Sequence, residues 1–476
     1  MAQNVFSAFL WRATERFGSH LITFAVTTLL ARILEPAAYG TIALINVFIN
    51  LADVFIYSGM GVALVQKKNA DETDFSSLFY CNMAICLVAY LAMFLGAPCI
   101  AAFYQTPALT LITRIMAINL IFAGFKSIQQ AYVSRHLLFR LFFWANFSAN
   151  FIAGVIAIWM AYRGYGVYAL VQQILTHNFL CCVILAVLTR WRPRLLFSLE
   201  RLEGLFNYGW KIFAARIIAR CYRELTVLMI GKFYSKDDLA FYHKGKNFPS
   251  LFSDNIALSI DSVLFPVLSK VQDSVEQIRE ITRKAMKTST FVMMPLMAGL
   301  AATAEPLLRL LLTEKWLPCV LFLRITCFHY AFHPVSTANL NAIKALGRSD
   351  LFLKIEIAKH LIAFALLFAT ITISVKAVAY STMASSLVFQ LINSWPNRKL
   401  LDYRYEQQIL DILPQILLSA VMGIVVYLLT FLGLPDLYTL LLQCGVGMAF
   451  YLGVAWLLKI DSFFWLLNNC RRLLKI

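Results

Sequence analysis

Long apolar runs separated by short polar connections recur along the whole chain, and that alternation sets its class. A helix that spans a bilayer needs about 20 apolar residues. Fourteen segments meet that length, near residues 9–33, 41–63, 77–103, 109–131, 141–162, 165–188, 207–231, 247–268, 288–312, 317–343, 351–374, 377–397, 411–432 and 437–458. In lipid the alternative is a closed barrel, and these runs are too long and too continuously apolar for barrel strands of roughly ten residues. The pattern predicts an all-α, polytopic membrane protein with about 14 transmembrane helices.

The connections carry the second pattern. An even number of spans puts both termini on one side. Most of the Lys and Arg of the connections fall on that side, among them Arg190, Arg192, Arg194 and Arg201, then Lys270, Arg279, Arg283, Lys284 and Lys287. The positive-inside rule then places both termini in the cytoplasm. The longest polar stretch, Ser269 to Lys287, alternates acids and bases at helical spacing and predicts a short surface helix on that side. No connection is long enough for a folded soluble domain. No small-residue cleavage site follows a short apolar core at the amino terminus, so no signal peptide is expected.

Composition agrees with the pattern. Of 476 residues, 60% are hydrophobic and 14% charged, with mean hydropathy +0.71, well outside the range of soluble domains. A net charge of +17 raises the question of nucleic acid. The basic residues, however, are scattered in short clusters between apolar segments, which topology explains, and no nucleic-acid partner is expected. The ten cysteines show no paired CxxC spacing, and Cys181-Cys182 sit inside an apolar run as packing residues. No disulfide is required.

One unit is used twice. Residues 29–44 read LLARILEPAAYGTIAL: an apolar helix arrives at Ile33, Pro36 is expected to stop it, Gly40 to permit a turn, and a second apolar helix leaves. A fainter copy, MIGKFYSKDDLAFY, runs from Met229 to Tyr242, with Arg32 opposite Lys232 and Tyr39 opposite Leu239. Upstream, Leu10-Trp11-Arg12 echoes Gly209-Trp210-Lys211; downstream, Leu51-Ala52-Asp53 echoes Phe252-Ser253-Asp254. Six spans separate the copies, so they share one orientation about an axis along the membrane normal.

The run around ARILEPAAYG resembles the signature of bacterial polysaccharide flippases, the polysaccharide-transporter family of the multidrug/oligosaccharidyl-lipid/polysaccharide (MOP) superfamily. Further matches are Ile230-Gly231-Lys232-Phe233, Leu264-Phe265-Pro266 with Leu268-Ser269-Lys270, Glu314-Lys315-Trp316, and Ala345-Leu346-Gly347-Arg348-Ser349-Asp350-Leu351-Phe352. These resemble the Wzx-like subgroup of colanic acid and O-antigen repeat-unit exporters, over residues 11–414. Ala240 departs from the glycine usual at that place in the second copy and is expected to stiffen a turn. The resemblance implies two pseudo-symmetric six-helix lobes around a central cavity, at 1–190 and 207–400. It implies a peripheral helix pair at 411–458 and a basic cytoplasmic tail at 459–476. It also implies location in the bacterial inner membrane and a role in exopolysaccharide or lipopolysaccharide biosynthesis. The implied partners are a lipid-linked oligosaccharide, membrane lipids, and the polysaccharide polymerase and chain-length machinery; no cofactor is implied.

Charges inside the spans carry the chemistry, because each costs about 2.5–3.5 kcal/mol at a helix centre. The seventh span holds Arg216, Arg220, Arg223 and Glu224, together on the order of 10 kcal/mol, which leaves a lipid-facing placement close to break-even or beyond it. They should face water or protein. Spacing of i, i+4, i+7 puts the three arginines on one stripe. Two accounts stand. One is a cationic cavity wall that receives the diphosphate of a polyprenyl-linked sugar, since the guanidinium fork matches phosphate oxygens. The other is a structural network with Glu224 and the acids of the eighth span.

The first span offers Arg12, Arg16 and His20 at four-residue spacing with Glu15 alongside, as interfacial anchors or substrate contacts. Lys126 and Arg114 on the fourth span and Arg324 on the tenth are further candidates for cavity charge. Asp53, Asp254, Asp261 and Glu224 are candidates for coupling to a proton or sodium ion, against the alternative of ion pairing with cavity arginines. His329 and His333 share a face without a nearby acid, which reads as polar packing rather than a metal site. The abundant Phe and Tyr side chains pack helices or sit at the interface, with a few free to stack on sugar faces.

Other classes fit less well. A multidrug or cation antiporter of the same architecture would want an acidic, aromatic cavity, which the arginines oppose. A polysaccharide polymerase would need catalytic carboxylates and a large outer loop. The acidic cluster Asp71-Glu72-Thr73-Asp74 reads instead as a helix cap and solvated turn. No GxxxxGK[ST] run is present, so ATP hydrolysis is not expected. The sequence describes a transporter, with no catalytic residues to assign.

Overall fold

The structure is a computed structural model, described over residues 22–56, 64, 71–135, 138–189 and 191–474. Helices, in chain order, are α1 (Ile22–Ile33), α2 (Pro36–Ile56), α3 (Glu72–Phe103), α4 (Ala108–Arg135), α5 (Phe139–Tyr162), α6 (Val167–Thr189), α7 (Leu199–Phe233) and α8 (Lys236–Lys270). They continue as α9 (Val275–Ala302), α10 (Ala304–Leu312), α11 (Cys319–Ala331), α12 (His333–Ala345), α13 (Ser349–Thr370), α14 (Val375–Ser394), α15 (Asn397–Leu400), α16 (Tyr405–Leu428), α17 (Asp436–Leu457) and α18 (Asp461–Leu474).

A helix covers each of the fourteen apolar segments, wholly or in part. Among the described residues, eight helices are long and apolar enough to cross a membrane by length and composition, or nine if α9 and α10, bent by 66° at their junction, form one span. Helices α7, α8 and α13 fall outside that group. Their charges lower the hydropathy, and a helix of that kind is tolerated in a bilayer where protein or water covers its polar face.

By packing, the chain divides into two compact units, 1–240 and 241–476. In the first, α3 packs on α4, α5 on α6, and α2 on both α4 and α7. The first unit thus includes α7, on the far side of the lobe boundary that the sequence suggests at residue 207, because α7 and the start of α8 are held against α2. In the second, α9 packs on α11 and α16, α13 on α14, and α16 on α17.

The repeat is visible in the backbone. Helix α1 ends at Ile33, and the chain bends through Leu34-Glu35 before α2 starts at Pro36; α7 ends at Phe233, and the chain bends through Tyr234-Ser235 before α8 starts at Lys236. The offset is 200 residues.

Pro36 and Gly40 act differently from expectation. Pro36 opens α2 as its first residue, where its missing N–H costs nothing. Gly40 lies inside α2, not in a turn, and a Cβ there would stand 1.9 Å from the Lys236 carbonyl oxygen. Its lack of a side chain lets the two breaks meet. Ala240 likewise lies inside α8 and is buried, so it stiffens no turn.

Two polar stretches also fold differently. Ser269 to Lys287 forms no separate surface helix: α8 runs to Lys270, and α9 begins at Val275 behind an N-cap at Ser274, whose hydroxyl accepts the Gln277 N–H. Asp71 and Asp74 form the expected cap as a reciprocal capping box on α3. The turn is solvated only in part: Asp71 and Glu72 are exposed, whereas Asp74 is 0% exposed and Glu72 Oε2 accepts the Trp191 indole N–H at 3.3 Å. The described cysteines are all free, and Cys181 and Cys182 are buried in α6 as packing residues.

Candidate functional site

In an apolar helix each buried polar group must find a partner inside the protein. In the first unit these groups converge from four helices. On α7, Arg220 Nε stands 2.8 Å from Glu224 Oε1, an ionic contact whose N–H is not aligned as a hydrogen bond. Glu224 is 7% exposed, and the same Oε1 accepts Asn50 Nδ2 of α2 at 3.2 Å.

One turn along α2 from Asn50, Asp53 lies within electrostatic reach of Arg220 and Lys126. Its Oδ1 is buried and has no hydrogen-bond partner among the described residues. On α4, Lys126 Nζ donates to Asn178 Oδ1 of α6 at 3.4 Å, and Asn178 Nδ2 donates to Asn119 Oδ1 at 2.7 Å. His177, next to Asn178, also lies within reach of Lys126, and its Nδ1 is buried without a hydrogen-bond partner among the described residues. Among the described residues, two cations, Lys126 and Arg220, thus face two acids, Asp53 and Glu224. Pairing of opposite charges is what permits such a network at membrane depth.

The arginine stripe is therefore uneven. Arg220 is committed to Glu224 and is 28% exposed along its side chain, whereas Arg223 is exposed on the same helix. The side chain of Arg216, and all of Arg12, Arg16, Glu15 and His20, lie outside the described residues.

Two further candidate cations are used locally. Arg114 Nε donates to the Phe94 carbonyl at 3.3 Å, and its guanidinium lies 4.6 Å from that ring's centroid. Arg324 Nε donates to the Ala301 carbonyl at 3.1 Å and lies 5.3 Å from the Tyr427 ring centroid.

The second unit has its own polar group. Asp261 on α8 accepts Asn341 Nδ2 of α12 at 2.6 Å. Asp254, seven residues earlier, is exposed. His333 Nδ1 is 2.8 Å from Ser253 Oγ and lies within electrostatic reach of Asp254, Asp261 and Lys359. Lys359 Nζ in turn holds Glu356 at 2.6 Å. Among the described residues, no group of three or more His, Cys, Asp and Glu side chains could hold a metal ion.

A search for charges within apolar spans passes over Asn50, Asn119, Asn178 and His177. Their signal is spacing: Asn50 precedes Asp53 by three and Asn119 precedes Lys126 by seven, each on the face of a charge.

The motifs that carry the family resemblance turn out to be joints. Lys232 donates to the Phe103 carbonyl and lies 4.3 Å from that ring's centroid. Leu264 and Leu268 are buried in the core where α8 meets α12. Trp316 is fully buried, with the Lys244 ammonium 5.7 Å from its ring. Gly347, at φ +73°, ends α12 in the left-handed conformation. Arg348 then grips Asp350 through two bonds of 3.0 and 3.1 Å, which hold that carboxyl down at about 2.

Long apolar helices whose charged and polar groups are paired with one another describe a polytopic membrane protein. The chain belongs to the polysaccharide biosynthesis protein family, whose model matches residues 29–321. It is 24% identical over 379 residues to the teichuronic acid biosynthesis protein TuaB of Bacillus subtilis, covering 79% of this chain and 78% of that one. It is 23% identical over 419 residues to the lipopolysaccharide biosynthesis protein WzxC of Escherichia coli, covering 84% and 83%. Its fold is similar to that of the lipid II flippase MurJ in an inward closed conformation, with TM-score 0.77 at 16% identity over 95% of this chain and 99% of that one. It is also similar to an inward-facing MATE multidrug transporter, with TM-score 0.63 at 11% identity over 81% and 94%. The chain is a multi-pass helical membrane protein of the polysaccharide biosynthesis family.

Proposed function

We propose that this protein flips an undecaprenyl-diphosphate-linked oligosaccharide repeat unit from the cytoplasmic to the periplasmic leaflet of the inner membrane, by alternating access between two lobes. The observation that carries the proposal is the basic face of α7, where exposed Arg223 sits beside the compensated Arg220–Glu224 pair. A diphosphate and a polar glycan cannot cross hydrocarbon unaided. A polar path lets the head cross while the polyprenyl tail stays in lipid, and no covalent bond need form.

Both termini are assigned to the cytoplasm on the distribution of Lys and Arg. With the cytoplasm negative, an anionic head moving outward gains about 2.3 kcal/mol per charge per 100 mV, or roughly 4–5 kcal/mol for two charges. Membrane potential is therefore a sufficient driving force, and Asp53, Asp254, Asp261 and Glu224 are our candidates for coupling a proton or sodium ion. The polymerase and chain-length proteins would act on the delivered unit.

Removal of this chain should trap lipid-linked repeat units in the cytoplasmic leaflet, detected by leaflet-selective labelling. Trapping in the outer leaflet would point to a polymerase instead.

A further inference from the structure

The second unit contains a cavity of about 470 Å³ between the start of α16, the end of α17 and the α17–α18 turn, within the range of about 300–1,000 Å³ usual for ligand sites. Its walls are apolar along α16 and α17, through Leu417, Val421, Phe450 and Val454, and its mouth carries Lys287 and Lys459. Leu417 and Val421 are among the exposed large hydrophobic residues. A slot greasy at one end and cationic at the other matches a molecule that is anionic at one end and acyl at the other.

The charges at the mouth do not cancel. Asp411 is saturated: Arg283 gives it two bonds of 2.6 and 2.5 Å, Lys287 approaches to 3.2 Å and the Tyr403 hydroxyl donates at 2.7 Å. Two cations already share that one acid. Lys459 adds a third, exposed, without an ion-pair partner among the described residues, and held in the turn at φ +52°. Lys284 is a fourth, its ammonium 5.1 Å from the Trp465 ring. Against these four cations stand two acids, Asp411 and Asp461, so net positive charge remains beside the slot. The chain then enters α18, whose Phe463 and Leu466 pack on the core while Trp465 is exposed, the one-sided apolar character of a helix at a membrane interface.

We infer that this slot is a resident site for an anionic glycerophospholipid of the surrounding bilayer, with its phosphate at Lys459 and Lys287 and an acyl chain along Leu417, Val421, Phe450 and Val454. Such a lipid fastens α17 and α18 to α9 through charges that would otherwise repel. It is distinct from the transported lipid and does not depend on which glycan is carried.

The test uses the full-length chain in detergent, with thermal unfolding and native mass spectrometry in the presence of phosphatidylglycerol or phosphatidylcholine. Phosphatidylglycerol should stabilise the chain at about five- to tenfold lower concentration, as expected when one or two surface cations meet a phosphate. Lys459→Glu should abolish that preference without changing the melting temperature in lipid-free detergent. Val454→Trp, which fills the apolar slot, should remove retention of both lipids. If Val454→Trp fails to fold, Lys459→Glu and Lys459→Gln decide the matter. Equal effects of the two lipids, or a preference that survives every variant, would overturn the proposal. So would equal stabilisation by inorganic phosphate, which would mark an anion site only, or tighter retention of undecaprenyl phosphate than of phosphatidylglycerol, which would make the slot the carrier's.

Discussion

Asn50 and Glu224, 174 positions apart, are joined by a hydrogen bond of 3.2 Å from the Asn50 amide to the Glu224 oxygen that also faces Arg220. The bond ties α2 to the most highly charged span, and it decides how the arginines of that span can act. Glu224 pairs with Arg220, so an anionic headgroup reaches Arg220 only by competing with a buried carboxylate.

Removing one partner of that pair should cost more than removing both. Arg220→Gln leaves Glu224 buried without its cation and is expected to destabilise by about 3–5 kcal/mol. The double variant Arg220→Gln/Glu224→Gln should recover most of that loss, because two amides can hydrogen-bond without a net charge. Thermal unfolding of the purified proteins measures the difference. Additive losses would show that the two residues do not act as a pair.

Gly40 should tolerate no side chain. A Cβ at 1.9 Å from the Lys236 carbonyl oxygen meets backbone, which cannot swing aside as a side-chain tip can. Gly40→Ala is expected to cost about 1–3 kcal/mol by overpacking, and Gly40→Leu to prevent accumulation of the folded protein. Gly96→Ala, where nothing lies within 4 Å, is the matched control and should change little. Membrane-fraction yield and melting temperature report both.

Asp53 separates a structural from a transport role. Its Oδ1 makes no hydrogen bond among the described residues, so Asp53→Asn forfeits little bonding and should shift stability by less than about 1 kcal/mol. It does remove one of two acids facing Lys126 and Arg220, and transport is expected to fall by about tenfold or more, the effect of roughly 1.4 kcal/mol or more at a rate-limiting step. Wild-type transport by a stable Asp53→Asn protein would remove this residue from the mechanism.

Asp411 should matter more than either cation that holds it. Asp411→Asn leaves Arg283 and Lys287 facing each other without a counter-charge, with a single amide oxygen left to accept from them and from the Tyr403 hydroxyl, at an expected cost of about 1–3 kcal/mol. The Arg283 side chain is 54% exposed, so Arg283→Gln should cost less than about 1 kcal/mol because water screens the loss. Parallel melting curves give the ranking, and a larger loss from Arg283→Gln would contradict it.

Much of the fold was legible because apolar length and charge spacing are local properties. The helical segments follow from runs of residues such as Val167–Thr189, and the repeat from Arg32 and Lys232, whose two helix breaks recur at the same offset. The purpose of Gly40 was hidden, since it depends on a backbone atom of Lys236 far along the chain. The same limit applies to the site. Mid-span Arg220, Glu224, Asp53 and Lys126 declare themselves by their cost in lipid, whereas Asn50 and Asn178, neutral amides, gain importance only when another helix brings a charge to them. The turn expected at Asp71-Glu72-Thr73-Asp74 is solvated at Asp71 and Glu72 but not at Asp74, and the Trp191 indole that bonds Glu72 comes more than a hundred residues later.

The central claim is that the basic face of α7 handles an anionic, lipid-linked headgroup. Its most direct test is transbilayer movement of undecaprenyl-diphosphate oligosaccharide in proteoliposomes containing the wild type or the Arg216→Gln/Arg220→Gln/Arg223→Gln protein, with a membrane potential imposed. With Glu224→Gln added, so that no buried carboxylate loses its cation, the triple variant should insert and remain folded yet move the lipid no faster than empty vesicles. Movement at the wild-type rate would contradict the account.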